Sequence, residues 1–448
     1  MKTVSCQQMR ELDRRAIENY GIAGTILMDR AGMGLARAVE RICSLTSRSN
    51  VILVAGHGNN GGDAFCAAGY LKEWGLNPRV WIVGKTDSIM GDALFYLEKI
   101  NGLDIPILEI PDGGSWRMAE KSVPREYVLV DGILGTGTRG DVRGLPLTAV
   151  EYVNRMGQYS PVAAIDVPSG LDADTGTPLG TAVKADLTVT MGLPKKGLLE
   201  KEALDYVGAL SVVDIGIPEE LTSRITSPTE LIASSDVSSF FKKRKRDTHK
   251  GTYGHLLIIG GAKGFAGAVA LACKAALRSG VGLISALVPK GIAPTVTAIV
   301  PEAMIKPGGE TKIGSLSAEC LKGIKANEFD AVLIGPGLTD HNQSGILVKK
   351  LLSSCKVPLI LDADALNACR DKPQIIKAAG CPTIITPHPG EMARLLKRKT
   401  GEIQDDRVNC ARTAAEKTDS VVVLKGAGTI VTEKDGSTYI NMTGNPGM

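Results

Sequence analysis

Short apolar runs separated by helical segments dominate the chain from residue 51 onward. Between residues 51 and 84, the run VILVAG is followed by a glycine loop, a helical stretch and a second run, VWIVG. Apolar strands joined by helices are typical of a parallel sheet that is buried on both faces. Further strands are predicted at 127–131, 162–166, 187–191 and 209–214. Residues 1–220 are therefore predicted to form a three-layer α/β/α domain that begins with helices.

The alternating pattern stops at 221–248, which is predicted to be a linker. Its basic run at 242–246 is typical of a solvated linker, although five consecutive cations could also bind a phosphate-rich partner. The pattern resumes in the runs HLLIIGG, AVLIGPG, PLILDAD, TIITPHPGE and VVVLKGAG. Residues 249–448 are therefore predicted to form a second three-layer α/β/α domain.

Length and composition agree with two globular domains and small-molecule chemistry. A chain of 448 residues is too long for one ordinary core. A net charge of +4 with 4% aromatic residues does not favour a nucleic-acid partner. The sequence contains no apolar signal segment and no run of about 18 uninterrupted apolar residues, so we expect no membrane segment and a cytoplasmic location. The nine scattered cysteines are predicted to be reduced thiols.

A glycine-rich segment, GHGNNGGD at 56–63, follows the first predicted strand and opens a predicted helix. The free backbone N–H groups of such a helix start can bind a phosphate without meeting a β-carbon. A tight turn with Asn in the left-handed conformation would explain the same residues. The segment is not the G-x-G-x-x-G dinucleotide fingerprint.

Two aspartates at later strand ends extend this candidate site. Asp131 precedes GILGTGTRGD, and Asp166 precedes VPSGLD. Because the carboxyl ends of parallel strands lie at one edge, the segments at Asn60, Asp131 and 166–169 should converge. Their Asn, Asp and Ser oxygens suit a hard cation, whereas Asp166 could instead act on a proton. Either aspartate could also simply cap the next helix.

These segments, together with LMDRAG at 27–32 and TVTMGLPKKG at 188–197, resemble the NAD(P)H-hydrate epimerase family. The resemblance implies a Rossmann-like domain and a potassium ion (K+) held by Asn60, Asp131 and Ser169. It also implies that Asp166 is the catalytic residue beside the nicotinamide ring. Epimerisation requires the ring hydroxyl to leave and return on the other face, which a carboxylate can assist. The implied substrate-binding residues are Asn59, Asn60, Gly61, Gly62 and Asp63 in one loop, and Gly135, Thr136, Gly137, Thr138, Arg139, Gly140 and Asp141 in another.

The second half places further polar or glycine-rich loops after apolar strands, where α/β domains bind ligands. These loops lie at 260–268, 335–337, 362–364, 386–391 and 425–429. His388 stands between two prolines, which fix its backbone and leave the ring available to a substrate. The segment KGAGT at 425–429 offers a lysine and free N–H groups to phosphates, although a hairpin turn would explain its glycines equally well.

Together with HKGTYGH at 249–255, these loops are similar to the ADP- or ATP-dependent NAD(P)H-hydrate dehydratases of the ribokinase-like superfamily. The resemblance implies phosphorylation of the ring hydroxyl and elimination of phosphate, with Mg2+ and with ADP as the expected nucleotide. The implied hydrate contacts are Ala268, Gly337 and His388, and the implied nucleotide site comprises Lys425, Gly426, Ala427, Gly428 and Thr429. Thr339 departs from the family, which usually has glycine there.

The two resemblances predict a repair enzyme for the hydrates NADHX and NADPHX, and we expect a homo-oligomer. The sequence ends in TGNPGM at 443–448, before a Gly-Asp pair whose aspartate the family uses as a base. We therefore expect a truncated second domain whose dehydratase activity is reduced by roughly 10²–10⁴-fold. One alternative is a ribokinase-like kinase for a vitamin precursor with a regulatory first domain. The other is a non-enzymatic binding scaffold.

Overall fold

The computed structural model describes residues 1–241 and 243–444, which fall into two compact units. One comprises Met1–Leu231 with residues 442–444, and the other comprises Ile232–Asn441. Their boundary lies inside the predicted linker at 221–248, and the domain limits proposed from sequence stay a prediction. Lys242 of the basic run and residues 445–448 of the terminal segment lie outside the described residues. Among the described helices, none has both the length and the apolar character that crossing a membrane requires.

The strands of the first unit are β1 (Asn50–Ala55), β2 (Asn77–Val83), β3 (Ile107–Ile110), β4 (Tyr127–Gly132), β5 (Val162–Ile165), β6 (Leu187–Met191), β7 (Ala209–Val213) and β8 (Glu230–Leu231). Seven of them form a parallel sheet with the order β3-β2-β1-β4-β5-β6-β7. Its helices are α1 (Cys6–Tyr20), α2 (Gly24–Thr46), α3 (Asn59–Glu73), α4 (Gly91–Asn101), α5 (Gly113–Lys121), α6 (Gly144–Met156), α7 (Leu204–Val207) and α8 (Glu219–Ser223).

Alternating residues of β1 bury both faces of this sheet. Val51 and Leu53 belong to the apolar core shared with helices α1 to α4. Ile52 and Val54 belong to a second core, which includes residues of α5 and α6. Because side chains alternate along a strand, helices cover both faces and the unit has three layers, as predicted.

The second unit contains the strands β9 (His255–Ile259), β10 (Leu283–Pro289), β11 (Met304–Gly308), β12 (Ala331–Ile334), β13 (Leu359–Leu361), β14 (Thr383–Ile385), β15 (Val421–Leu424), β16 (Thr429–Thr432) and β17 (Thr438–Asn441). The helices are α9 (Ser234–Ser238), α10 (Ala266–Arg278), α11 (Ala293–Ile299), α12 (Asn342–Ser354), α13 (Asp364–Asn367), α14 (Gln374–Lys377), α15 (Pro389–Leu396), α16 (Thr400–Asp405) and α17 (Arg407–Thr418).

Within this unit the strand order is β11-β10-β9-β12-β13-β14-β15-β16-β17. Strands β9 to β15 pair in parallel with one another, whereas β16 pairs antiparallel with both β15 and β17. The two-domain α/β architecture predicted from the sequence is confirmed. The strand order reverses beside the first strand of each unit, at β1/β4 and at β9/β12, which is where open α/β sheets bind ligands.

Candidate active sites of the two units

A cavity of about 860 Å³ lies at the carboxyl edge of the first sheet. Some of its lining residues follow the ends of neighbouring strands, and the others include residues of helices α1 and α2, which precede the sheet. The lining residues include Asp13, His57, Asn59, Asn60, Asp63, Gly135, Thr136, Gly137, Thr138, Asp166 and Lys195. The cavity has the size of a small-molecule site, and its position is the one expected from the strand order.

The predicted glycine loop is in large part the first turn of a helix. Helix α3 begins at Asn59, so that Asn60 and Asp63 are helical residues with exposed fractions of 9% and 7%. Neither Asn59 nor Asn60 has a positive φ angle, which rules out the left-handed Asn turn as the reason for these residues. The N–H groups of the first helical turn lack intrahelical acceptors and can therefore bind an anion.

The three segments that carry Asn60, Asp131 and Ser169 meet in one hydrogen-bond network. Ser169 donates to Asp131 through its backbone N (2.8 Å) and its Oγ (2.5 Å). Asn60 Nδ2 donates to the carbonyl oxygens of Leu134 (3.1 Å) and Ile165 (2.8 Å), and Ser169 Oγ contacts the same Leu134 oxygen at 3.1 Å. The predicted convergence of these segments is therefore present in the structure.

Asp131 is fully buried, and burial raises its pKa to about 6 despite the hydrogen bonds from Ser169. Its hydrogen-bond donors in the described part of the chain are the neutral groups of Ser169 and the N–H of Ile133. A buried carboxylate with neutral partners is stabilised by a cation, and Asp131 together with Asn60 and Ser169 forms an oxygen-rich donor set.

Asp166 lies directly after β5 and is paired with a buried lysine. Lys195 Nζ donates to Asp166 Oδ1, and the side-chain exposed fractions are 1% for the lysine and 13% for the aspartate. The same oxygen accepts hydrogen bonds from Thr190 Oγ1 (3.1 Å) and from the backbone N of Met191 (3.0 Å). One oxygen of Asp166 is thus fixed, while Oδ2 receives no hydrogen bond from the described residues.

The backbone of Asp166 adopts a left-handed conformation with a φ of 61°. Its N–H donates to the carbonyl oxygen of Val189 at 2.7 Å. Aspartate is one of the few non-glycine residues that visit this region readily, and such conformations concentrate at functional sites. The turn places the carboxylate on the cavity wall instead of continuing the strand.

The other predicted binding loop only partly faces the cavity. Gly135 to Thr138 line it, whereas Arg139, Gly140 and Asp141 do not. Arg139 Nη1 donates to the carbonyl oxygen of Thr138 at 3.3 Å on the surface. Asp141 forms an exposed ion pair with Arg143 at 3.7 Å. The structure thus brings the first half of this loop to the site and leaves the second half at the periphery.

In the second unit, Ala268 and Gly337 lie beside each other at the β9/β12 edge. A β-carbon on Gly337 would approach that of Ala268 to 3.2 Å and the carbonyl oxygen of Phe265 to 3.0 Å. With its φ of 67°, Gly337 occupies a position where a side chain would be strained. The absent side chain allows this loop to pack closely against Phe265 and Ala268.

The segment 425–428 is the turn of the β15–β16 hairpin, which is the second explanation that the sequence offered for its glycines. Lys425 Nζ pairs with Asp362 Oδ1 at 2.8 Å and lies 3.9 Å from Glu391 Oε2. His388 caps helix α15 by accepting from Gly390 N at 3.0 Å, and its Nε2 lies 3.4 Å from Glu391 Oε1. Lys425 and His388 therefore share one buried carboxylate.

Arg407 holds the hairpin turn in place from the start of α17. Its Nη2 donates to the carbonyl oxygens of Leu424 (3.2 Å), Lys425 (3.3 Å) and Gly428 (3.3 Å). Burial lowers the pKa of this guanidinium. A planar fork with several donors suits such a role, and it fixes the direction in which the turn presents its N–H groups.

Sequence reasoning missed Asp13, Lys195 and Arg407 as site residues, whereas Asp362 and Glu391 belong to predicted candidate loops in which no role was assigned to them. Lys195 belongs to the segment TVTMGLPKKG, and Glu391 ends TPHPGE, so both stood inside segments that were already singled out. A lysine next to a polar strand end in such a segment was the available signal for Lys195. Asp13 and Arg407 had no comparable local signal.

A cavity lined by buried acids in one unit and an edge of charged and glycine-rich loops in the other define a two-domain α/β enzyme. A family model described as NAD(P)H-hydrate dehydratase matches residues 256–448, and one described as YjeF-related protein N-terminus matches residues 24–197. The chain is 36% identical to the bifunctional NAD(P)H-hydrate repair enzyme Nnr of Moorella thermoacetica, over 100% of this chain and 85% of that protein. The Escherichia coli enzyme of the same name is 33% identical over 98% of this chain and 80% of that protein.

The chain belongs to the family of bifunctional NAD(P)H-hydrate repair enzymes. Among solved structures, the ADP/ATP-dependent NAD(P)H-hydrate dehydratase of Bacillus subtilis, co-crystallized with ATP/Mg2+, is 30% identical with a TM-score of 0.40, over 48% of this chain and 73% of that chain. The predicted pairing of an epimerase with a dehydratase domain is confirmed. Neither the vitamin-precursor kinase nor the binding scaffold is favoured by these relatives.

Proposed function

We propose that the first unit interconverts the R and S hydrates of NADH and NADPH in its cavity, with Asp166 as an acid–base group. The observation that carries this proposal is the fixed carboxylate on the cavity wall. Lys195, Thr190 and the Met191 N–H hold Asp166 Oδ1, and Oδ2 is left for a ligand. A carboxylate in this setting can take a proton from a water that adds to the nicotinamide ring, or return one to the departing hydroxyl.

The remaining cavity walls suit a dinucleotide. The first turn of α3 presents free N–H groups at Asn59 and Asn60, which line the cavity, whereas Gly61 and Gly62 do not line it and the Gly62 N–H is bonded to the Gly58 carbonyl oxygen. The Gly135–Thr138 segment adds backbone and hydroxyl groups from the neighbouring strand end. Phosphates bind at such helix starts because of the unpaired N–H groups and the helix dipole. The exposed Arg139 and Asp141 would contribute only at the rim.

K+ fits the donor set at Asn60, Asp131 and Ser169, which would hold the ion together with neighbouring carbonyl oxygens. When bound, the ion supplies charge compensation for the Asp131 carboxylate. Because Asn60 and Ser169 also contact the backbone of the loops after β4 and β5, the same network keeps those loops in register. We infer that the ion is structural and supports the position of Asp166 three residues before Ser169.

Thermal unfolding tests the ion without relying on activity. KCl should raise the melting temperature of the chain relative to tetramethylammonium chloride at equal ionic strength. The Asp131→Asn variant should lose this difference. An equal response of both proteins to KCl would remove Asp131 from the ion site, and a larger response to NaCl would identify sodium instead.

We infer that the second unit uses ADP, or ATP, to dehydrate the S hydrate of NADH and NADPH. The 425–428 turn and Lys425 are suited to bind nucleotide phosphates, and Ala268, Gly337 and His388 would contact the hydrate. Asp362 and Glu391 supply hard carboxylate oxygens that would hold Mg2+, which shields phosphate charge when bound. Phosphorylation would convert the ring hydroxyl into a good leaving group. Formation of reduced nicotinamide, followed by its absorbance with ADP or ATP, tests this activity and the nucleotide preference.

Asp166→Asn is the direct test of the first site. We expect the exchange between the R and S hydrates, followed by chromatography, to fall by about 10²–10⁴-fold while the circular dichroism spectrum is unchanged. Asp205→Asn, at an exposed position of α7, is the matched control and should exchange at the wild-type rate. Undiminished exchange in Asp166→Asn would remove this residue from the mechanism. The cytoplasmic location and the homo-oligomer stay predictions.

A further inference from the structure

We propose that Asp13 is a second catalytic acid of the epimerisation, which protonates the departing hydroxyl while Asp166 accepts the proton of the water that adds on the other face. The proposal rests on the epimerase site described above and adds a residue from a different element. Asp13 precedes residues 24–197, the part of the chain that the matching family model covers.

Helix α1 carries Asp13 to the cavity next to its buried face. Met9, Leu12 and Ala16 are buried on that face, and Asp13 lines the cavity beside them. Its Oδ1 is buried and has no hydrogen-bond partner among the described residues. The other acids of the helix differ, since Glu11 and Glu18 form exposed ion pairs with Arg14.

An unpaired buried carboxyl oxygen is costly, and such a group in a native site needs an explanation. A proton on the carboxyl, or a ligand hydroxyl in the cavity, would satisfy the oxygen. Both are what a general acid requires in its resting and substrate-bound states. A purely structural aspartate at this position would instead be expected to cap a backbone N–H or to pair with a cation.

Burial keeps Asp13 protonated more readily than an ordinary aspartate. Burial is the largest cause, Lys195 lowers the pKa of Asp13, the Asp166 charge raises it, and the net result is a pKa raised to about 6. The ionisable groups lining the cavity with it are Arg10 on its own helix, His57 before α3, Asp63 of α3, Asp92 of α4, Asp166 after β5 and Lys195 after β6. Burial also raises the pKa of Asp63, so the cavity holds two acids that favour the neutral form beside the paired Asp166.

The proposed step conserves atoms and charge. Asp13 donates its proton to the ring hydroxyl, and the carbon–oxygen bond breaks with both electrons going to oxygen, so that water leaves. The lone pair of the ring nitrogen stabilises the resulting cation. A water then forms a new carbon–oxygen bond on the opposite face and gives its proton to Asp166. Proton exchange with solvent returns both acids to their starting states.

The test compares Asp13→Asn, Asp63→Asn and Asp166→Asn by the pH dependence of kcat/KM for exchange between the NADPH hydrates, corrected for the uncatalysed rate. Wild-type exchange should decline as the pH rises through about 6, the value to which the Asp13 pKa is raised. Asp13→Asn should slow exchange by about 10²–10⁴-fold and lose that decline. Asp13→Glu should restore part of the rate, and Glu18→Gln on the same helix should behave as wild type.

Each other outcome is decisive. Wild-type rate and pH profile in Asp13→Asn, with exchange lost in Asp166→Asn, would overturn the role of Asp13 and leave the proposed function intact. Loss of the decline in Asp63→Asn alone would assign the acid to Asp63. If Asp13→Asn does not fold, Asp13→Ala with added formate provides the second measurement. Formate should then restore exchange, and no response to formate in folded Asp13→Ala would count against the proposal.

Discussion

The two units use the same backbone device at the point where their strand order reverses, yet they surround it with different side chains. A β-carbon on Gly56, after β1, would lie 2.0 Å from the carbonyl oxygen of Ile133, after β4. A β-carbon on Gly260, after β9, would lie 2.3 Å from the carbonyl oxygen of Pro336, after β12. In both sheets, the glycine allows neighbouring loops to approach closely and opens the crevice beside them.

The charged groups differ in burial. In the first unit, the Lys195–Asp166 pair is almost completely removed from water, whereas Lys425 and Asp362 of the second unit have side-chain exposed fractions of 42% and 27%. Buried and fixed charges suit proton transfer on a small ring, since they need no reorganisation. An exposed pair can exchange partners, as a lysine that receives nucleotide phosphates must. The first site is therefore preorganised, and the second is open to rearrangement.

Among substitutions that test this difference between a buried and an exposed ion pair, Lys195→Met should have the largest effect. Removing one partner of a buried ion pair leaves the Asp166 charge uncompensated, at a cost of about 3–5 kcal/mol. We expect this loss in the free energy of unfolding of the first unit, measured by urea titration, together with loss of hydrate exchange. Lys196→Met, at the exposed next position, is the control. A loss below about 1 kcal/mol would show that the first site is no more preorganised than the second.

A smaller effect concerns the pH dependence of stability. Asp13 binds its proton more tightly in the folded state, where its pKa is about 6, than in the unfolded chain, where the ordinary value is 3.8. Its stabilising contribution is therefore complete below pH 3.8 and is lost as the pH rises to about 6, by at most about 3 kcal/mol. Asp13→Asn should reduce the slope of the unfolding free energy over this window and leave the part that Asp131, whose pKa is also raised to about 6, contributes. An unchanged slope would show that water reaches the carboxyl.

The carboxyl edges of both sheets could be predicted from the sequence because short, continuous segments of the chain indicate where each strand ends. Apolar runs followed by glycines and an aspartate mark the ends of buried strands, and this pattern placed Asn60, Asp131 and Ser169 on the same rim. The partner of Asp166 is different, because Lys195 lies 29 residues away and its pairing depends on where β6 ends. Helical periodicity predicts the buried face of α1, but it does not predict which groups surround Asp13 beside that face. The position of Asp13 in the cavity therefore could not be predicted from the sequence.

Replacement of Arg407 tests whether nucleotide binding in the second unit depends on the 425–428 turn that this residue holds in place. Arg407→Gln removes charge-assisted hydrogen bonds to the 425–428 turn, each worth about 1.5–3 kcal/mol at most. Because the turn can partly hold itself, we expect ADP affinity to fall about tenfold, which corresponds to about 1.4 kcal/mol. Calorimetric titration with ADP measures this, and Lys417→Gln on the same helix is the control. An unchanged Kd would separate the turn from the nucleotide site.

The smallest expected effect on the free energy of unfolding comes from relieving backbone strain. A residue with a positive φ angle lies at the carboxyl edge of each sheet. Asp166 in the first unit and Thr339 in the second have φ angles of 61° and 69°, but the β-branched Thr339 tolerates this region poorly and its Oγ1 is buried without a partner in the described chain. Relief of about 1–2 kcal/mol of backbone strain exceeds the roughly 0.5–1 kcal/mol entropic cost of glycine.

Thr339→Gly should therefore raise the free energy of unfolding of the second unit by about 1 kcal/mol, measured by urea titration. Lys397→Gly, at an exposed helix end with a φ of 56°, isolates the backbone contribution because no buried hydroxyl is removed. The gain at Thr339 should exceed the gain at Lys397. Destabilisation by Thr339→Gly would mean that the hydroxyl makes a favourable contact, and that strain at the second edge, like that at Asp166, is maintained by polar interactions.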